Sequence, residues 1–176
     1  MTEKIGSRSI TDRFKEFLRT RAKRRLNEPD GFGDTPLHRA CYKNDPGRVR
    51  LLLRKGADVN TANIVGNTAL HAACSRGHSE IIRLLIEHGA NVNARNNSGL
   101  TPLHRACREG KPAAARLLMA SGACVEARGS DGYSPLELVL GILRSDNPAR
   151  EELIELFREY APDLVMEQFC ARGPQP

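Results

Sequence analysis

Apolar residues in this chain gather in short clusters spaced by three and four, the spacing of a half-buried helix, and the clusters themselves return at a fixed interval. Val49, Leu51 and Leu52 form one cluster, Ile81, Ile82, Leu84 and Leu85 a second, and Ala115, Leu117 and Leu118 a third. A polar start precedes each: Thr35-Pro36-Leu37-His38, Thr68-Ala69-Leu70-His71, Thr101-Pro102-Leu103-His104 and Ser134-Pro135-Leu136-Glu137 recur every 33 residues without drift. The same step separates Gly33, Gly66, Gly99 and Gly132, then Gly56, Gly89 and Gly122, then Cys41, Cys74 and Cys107. A period of a few tens of residues is the mark of a stacked-repeat architecture.

Each unit reads as two helices and a turn. The Thr hydroxyl can cap a helix, and Pro suits the first helical position, where its missing N–H has no partner to lose, so a short helix is expected over 37–43. Asn44, Gly77 and Gly110 share the position where it should stop, being residues that enter the left-handed conformation cheaply. Pro46 and Pro112 open a second helix that ends at Gly56, Gly89 or Gly122, and a polar turn of hairpin type follows. Neither helix can hide its apolar face alone, so the units have to stack on one another as a solenoid.

The Thr-Pro-Leu-His start, with the ending Leu51-Leu52, Gly56-Ala57-Asp58-Val59-Asn60, resembles the ankyrin repeat. The resemblance covers about residues 32–164 and implies an all-α solenoid of four stacked helix pairs with projecting β-turn fingers. The repeats are expected at about 32–64, 65–97, 98–130 and 131–164. The fourth departs from the pattern: Glu137 replaces the histidine, and Leu136 to Leu153 spans 17 residues where Leu70 to Ile81 spans 11. It reads as a capping repeat with a longer first helix or loop, followed by a short capping helix near 163–169 and a frayed tail within 165–176.

Residues 1–31 form a segment of different character. Eight Lys or Arg fall within 8–25 against Asp12 and Glu16, while Ile10, Phe14, Phe17, Leu18 and Ala22 keep helical spacing. An amphipathic basic helix is expected there, ended by Pro29, with its apolar stripe over the open end of the first repeat. The sharper alternative makes Arg19, Arg21, Lys23, Arg24 and Arg25 a basic patch for nuclear import or for a polyanion.

Candidate chemistry is sparse. Equivalent side chains in neighbouring repeats stand roughly 8–10 Å apart, too far to share one zinc or to form a disulfide, so Cys41, Cys74 and Cys107 read as small core residues. The ankyrin resemblance makes His38, His71 and His104 structural, tying each helix start to the adjoining turn. His78 and His88 read as surface positions, and Cys124 and Cys170 lie off the ladder. Gly110-Lys111-Pro112 lacks the glycine and hydroxyl of a phosphate-binding loop, and no nucleophile elbow or zinc pattern occurs. The expectation is a non-enzyme without metal or cofactor.

Specificity should then lie on two surfaces. The resemblance exposes Arg39, Tyr42, Lys43, Ser75, Arg76, Arg105, Arg108 and Glu109 on the concave face of the inner helices, a basic groove whose arginines suit carboxylates of an acidic partner. The turn tips add Ile64, Val65, Asn97, Leu100 and Tyr133 as anchors. The chain carries a net +6, but residues 32–164 carry only +2, which weighs against a nucleic-acid binder and keeps polyanion or anionic-lipid binding as the alternative. No stretch reaches the roughly 20 apolar residues that span a bilayer, and Met1 to Ile10 lack the apolar run of a secretory signal. With an odd count of five cysteines, a monomeric cytoplasmic adaptor or scaffold is expected, with the nucleus as the alternative in a eukaryotic host.

Overall fold

A computed structural model describes residues 26–142 and 146–166, together with 12, 14 and 16. Eight of the helices among the described residues build the stack: α1 (Pro36–Tyr42), α2 (Pro46–Arg54), α3 (Ala69–Arg76), α4 (Ser79–Glu87), α5 (Pro102–Arg108), α6 (Pro112–Ala120), α7 (Pro135–Ile142) and α8 (Pro148–Tyr160). They pair as α1·α2, α3·α4, α5·α6 and α7·α8, and the pairs stack in two rows. The inner row is α1, α3, α5 and α7; the outer row is α2, α4, α6 and α8.

The starts and stops follow from the residues that the repeat sets there. Pro36, Pro102 and Pro135 open inner helices, and Pro46, Pro112 and Pro148 open outer ones, each where an N–H would have no intrahelical acceptor. Asn44, at φ 54°, and Gly77 and Gly110, at 74° and 59°, turn the chain out of the inner helix through the left-handed region. Asn44 is the one non-glycine residue among the described residues to adopt a positive φ, and asparagine tolerates that region better than any branched side chain could.

One interior runs the length of the stack. Leu37, Leu70, Leu103 and Leu136 lie together in it with Cys41, Cys74 and Cys107, all essentially without solvent contact. The outer row contributes Val49, Leu52, Ile81, Ile82, Leu85, Leu118, Leu153, Ile154, Leu156 and Phe157. Small residues let the rows approach: Ala40, Ala73 and Ala106 occupy one buried position of the inner helices, and Ala114 and Ala115 of α6 are fully covered.

The turn fingers are stitched into a second ladder. Within each, a backbone pair closes the hairpin, as Asn63 N–H to the Asn67 carbonyl at 2.9 Å and Asn96 N–H to the Leu100 carbonyl at 3.0 Å. Between fingers, Ile64 N–H donates to the Phe32 carbonyl, Asn97 N–H to the Val65 carbonyl and Ser130 N–H to the Ser98 carbonyl. The approach is so close at Gly66, φ 79°, that a Cβ there would stand 2.6 Å from the Asn97 nitrogen; only glycine fits both the turn and the neighbour. Behind the fingers, Asn60 accepts from Asn91 N–H and donates to the Gly89 carbonyl, and Asn93 repeats this on Cys124 N–H and the Gly122 carbonyl. The ladder begins one period earlier than expected: Asn27 accepts from Asp58 N–H at 2.9 Å, and Leu26 packs against the core where Val59 and Val92 do in the next units.

In the fourth unit part of the insertion lengthens the second helix. α8 starts five residues before Leu153, whereas α4 starts two before the equivalent Ile81, so α8 has 13 residues against nine. Glu137 reproduces the missing histidine's work by other chemistry. Its carboxylate accepts from Ser134 N–H at 2.7 Å while the Ser134 hydroxyl accepts from Glu137 N–H, a capping box closed by an acid. Residues 162–166 are helical, with Val165 buried; the rest of the anticipated capping helix lies outside the described residues. Asp12, Phe14 and Glu16 are helical and exposed, and the rest of the anticipated N-terminal helix, with the basic patch Arg19, Arg21, Lys23, Arg24 and Arg25, lies outside the described residues as well.

Candidate functional site

Three histidines hold the inner helices to the fingers, and their environment fixes their chemical state. In His71 the Nδ1 accepts from Thr68 N–H at 3.1 Å, so Nε2 carries the proton and donates to the Leu100 carbonyl at 3.0 Å. His38 and His104 do the same with Thr35 and the Asn67 carbonyl, and with Thr101 and the Tyr133 carbonyl. Burial, seconded by the Arg105 and His38 charges, depresses His71 to about 4, and burial also lowers His104. A neutral imidazole saturated at both nitrogens is a structural pin.

The thiols are equally committed to packing. Burial pushes Cys41 up to about 12 and raises Cys74 and Cys107 well above the usual thiol range, so none is a thiolate at neutral pH. Cys124 is exposed, and Cys170 lies outside the described residues. Among the described residues no group of three His, Cys, Asp or Glu could hold a metal, and no helix is long and apolar enough to cross a membrane.

What remains is the surface of the inner row. The register places Tyr42, Ser75 and Arg108 at one position of successive helices, Arg39, Ala72 and Arg105 at another, and Lys43, Arg76 and Glu109 at a third. The centre of this face is floored by small side chains, since Ala72 is buried and Ser75 turns its hydroxyl back onto the Ala72 carbonyl. Tyr42 is half-buried beside the floor, where burial raises its phenol and the charges of Arg105 and Arg76 act to lower it. Arg105 is half-buried too, and its Nε is shut off from solvent without a hydrogen-bond partner. Lys43, Arg76 and Arg108 are exposed, and none of these four cations makes a hydrogen bond or ion pair among the described residues.

Two of the anticipated contact residues are spent elsewhere. Arg39 donates to Asp30 at 3.0 Å and to the Asp34 carbonyl, bracing the first finger. Ser75 has its hydroxyl engaged with its own helix. His78, anticipated at the surface, is half-buried at the start of α4.

At the fingers the structure separates what the sequence grouped. Ile64, Val65 and Tyr133 are exposed, at 64%, 50% and 54%. Leu100 is not a tip residue: it is 8% exposed, and a Cβ on Gly129 would meet its side chain at 2.7 Å, so it fills the seam beneath the fourth finger. Asn97 is exposed but gives its amide to the Ile64 carbonyl, joining two fingers. Phe32 is missing from the expected tips, yet at 72% it is the most exposed large apolar residue among the described residues; it lies one finger before Ile64 and Val65, and its place just ahead of Gly33 is the signal that could have found it.

Comparison with known proteins agrees with this geometry. No curated protein matches the chain. The family model described as ankyrin repeats (3 copies) matches residues 37–129, more than half of the chain and the span that carries the first three helix pairs. The histidine pins, the asparagine ladder and the matched span lead to one conclusion: the chain belongs to the ankyrin repeat family.

Proposed function

We propose that this protein binds an acidic partner protein along the inner-row face, with the apolar finger tips as a second contact. Ankyrin repeats are in general protein-binding modules, not catalytic ones, which gives the class of activity. The partner's chemistry is read from one observation: Lys43, Arg76, Arg105 and Arg108 crowd a face with a small-residue floor, and no carboxylate of the described residues neutralises them. The one acid at the equivalent register, Glu109, is exposed and forms no ion pair with them. A half-buried guanidinium left without an acceptor costs stability, and an incoming carboxylate would repay part of that by bidentate pairing. Such a partner meets the protein in the cytoplasm, or in the nucleus of a eukaryotic host.

Arg39 is best left out of the test, because its reversal would also break the first finger. The triple reversal Arg76→Glu, Arg105→Glu and Arg108→Glu is expected to lower binding to acidic peptides on an array by at least about tenfold and to leave the circular dichroism unchanged. An unchanged pattern of bound peptides would remove the acidic groove as the partner site.

A further inference from the structure

We infer that the open end of the inner row is a docking slot for one acidic amphipathic helix of a partner protein, which would lie on α1 as α1 lies on α3. This rests on the reading of the partner as an acidic protein and adds a place, apart from the arginines of α3 and α5, that would hold one segment of it. Register locates the slot. Pro36, Arg39, Ala40 and Lys43 form one stripe at helical spacing along α1 and its C-cap. On α3, α5 and α7 the same stripe lies against the preceding inner helix: Ala69, Pro102 and Pro135 are buried, and so are Ala72 and Leu138. Residues 27–35, which lead into α1, form no helix, and the described residues give α1 no inner-row neighbour on that side. Pro36 is accordingly half-exposed and Arg39 exposed.

The outer row changes its lettering at the same end. The position that holds Ile81, Ala114 and Leu153 in the later outer helices, all fully buried, holds Arg48 in α2, and Arg48 is exposed. A hollow of about 340 Å³ lies there, lined by Pro36, Arg39, Ala40, Lys43, Asp45 and Arg48. A stack can be ended by polar residues alone; this one keeps a hollow with the volume of a small ligand pocket. Leu26 and Asn27 carry the finger ladder one step further, at the places of Val59 and Asn60, so the inner row stops one helix short of the ladder.

The lining states the chemistry of the occupant. Pro36 and Ala40 give a small apolar floor, and every equivalent stripe in the stack takes a helix, so a helix with small apolar residues on one face fits it. Two cations of the rim are unengaged. Arg39 is held by Asp30 at 3.0 Å, and Asp45 gives its carboxylate to the Arg48 N–H at 2.8 Å as the cap of α2. Lys43 and the Arg48 guanidinium make no hydrogen bond or ion pair among the described residues, and they call for carboxylates on the flanks of the incoming helix. The chain's own sequence does not supply it. One step of 33 before α1 stand residues 3–9, with Lys4 and Arg8 at the places of the buried Leu37 and Cys41, and two more cations would be set against Lys43 and Arg48.

The test titrates the full chain by NMR with two end-capped helical peptides at constant ionic strength, one of Ala and Leu with Glu along one face, the other with Lys in place of every Glu. The acidic peptide is expected to shift the backbone amides of Arg39, Lys43 and Arg48 saturably and to bind at least about tenfold more tightly than the basic one. Arg48→Glu, at an exposed position, should reverse that preference with the His38 ring signals in place, whereas Arg83→Glu on the outer row should change nothing. Equal affinity for the two peptides, no saturation in the millimolar range, or binding indifferent to Arg48→Glu would each overturn the slot. Dimers of the chain alone that Arg48→Glu dissolves would overturn it too, by making a second copy the occupant. If acidic peptides bound through Arg76, Arg105 and Arg108 and ignored Arg48→Glu, the groove would stand without the slot. If only Arg48→Glu mattered, the slot would stand and the groove would fall.

Discussion

At the scale of single residues, the threonine and histidine of each inner helix start do the work of a backbone strut. His71 takes a proton from nowhere in the folded state: Nδ1 is occupied by Thr68 N–H, and a second proton there would set two donors against each other. The consequence is a pH dependence with a definite sign. Burial first, with the Arg105 and His38 charges after it, sets the folded value near 4, below the unfolded value of about 6.5. The unfolded chain therefore binds the proton first, so this contribution is complete above about pH 6.5, fades as pH falls from there towards 4, and amounts to about 3 kcal/mol in full. Urea melts at pH 7.5 and pH 5 should show a fall in midpoint in the wild type that is clearly smaller in His71→Gln, which starts from a lower stability. A midpoint that does not move with pH, or moves equally in the variant, would contradict the assignment of a neutral imidazole. This role was legible in the sequence from the fixed Thr-x-x-His spacing. The fate of Leu100 was not, because an apolar residue beside a turn tip can point to solvent or into the seam, and only the approach of Gly129 from the next finger decides it.

At the scale of elements, the fourth inner helix shows which part of the pattern is chemistry and which is spelling. Thr-x-x-His and Ser-x-x-Glu both satisfy the first orphan N–H groups of a helix, and Glu137 adds an ion pair with Arg128 at 2.9 Å. Burial acts to raise its carboxyl, but the Ser134 N–H and hydroxyl and the Arg128 charge outweigh it and hold the group below its ordinary value. Glu137→Ala should loosen the start of α7 at a cost of about 1 kcal/mol, read as faster amide exchange at Ser134 and Glu137, while Glu137→Gln, able to accept the same N–H, should lose less. Equal exchange in wild type and Glu137→Ala would show that packing alone fixes this helix. The helix pairs and their ends could be placed from sequence because Thr or Ser, Pro, Gly and Asn mark most boundaries and the fixed period supplies the others, such as the starts at Ala69 and Ser79. The share of the insertion taken by α8 could not, since Pro148 as a start signal competes with an apolar register that begins only at Leu153. The ladder's beginning at Asn27 was visible as one more step of 33 back from Asn60, but it falls outside the long signature that drew the eye to residue 32.

At the scale of the molecule, each pair packs chiefly on its neighbours, so the one interior is built as a chain of interfaces between successive pairs. Arg76 and Arg105 project from adjacent inner helices, and the interface between those helices sets their separation; the binding face is only as rigid as that contact. Leu103 is fully buried on α5, which packs against both α3 and α7, whereas Leu136 is fully buried on α7, whose inner-row neighbour among the described residues is α5. Both substitutions to alanine leave a comparable void and should each cost about 3 kcal/mol locally. Their reach should differ. Leu103→Ala weakens the coupling on two sides, so amide exchange should rise through α3, α4, α7 and α8 as well as in α5 and α6, and the affinity for an acidic peptide should fall even though no binding residue has changed. Leu136→Ala should confine faster exchange to α7 and α8 and leave peptide binding close to wild type. Exchange that rose only around the altered residue in both variants would mean that the repeats are stable one by one, and a face shared between two of them would then have no rigid spacing to offer a partner.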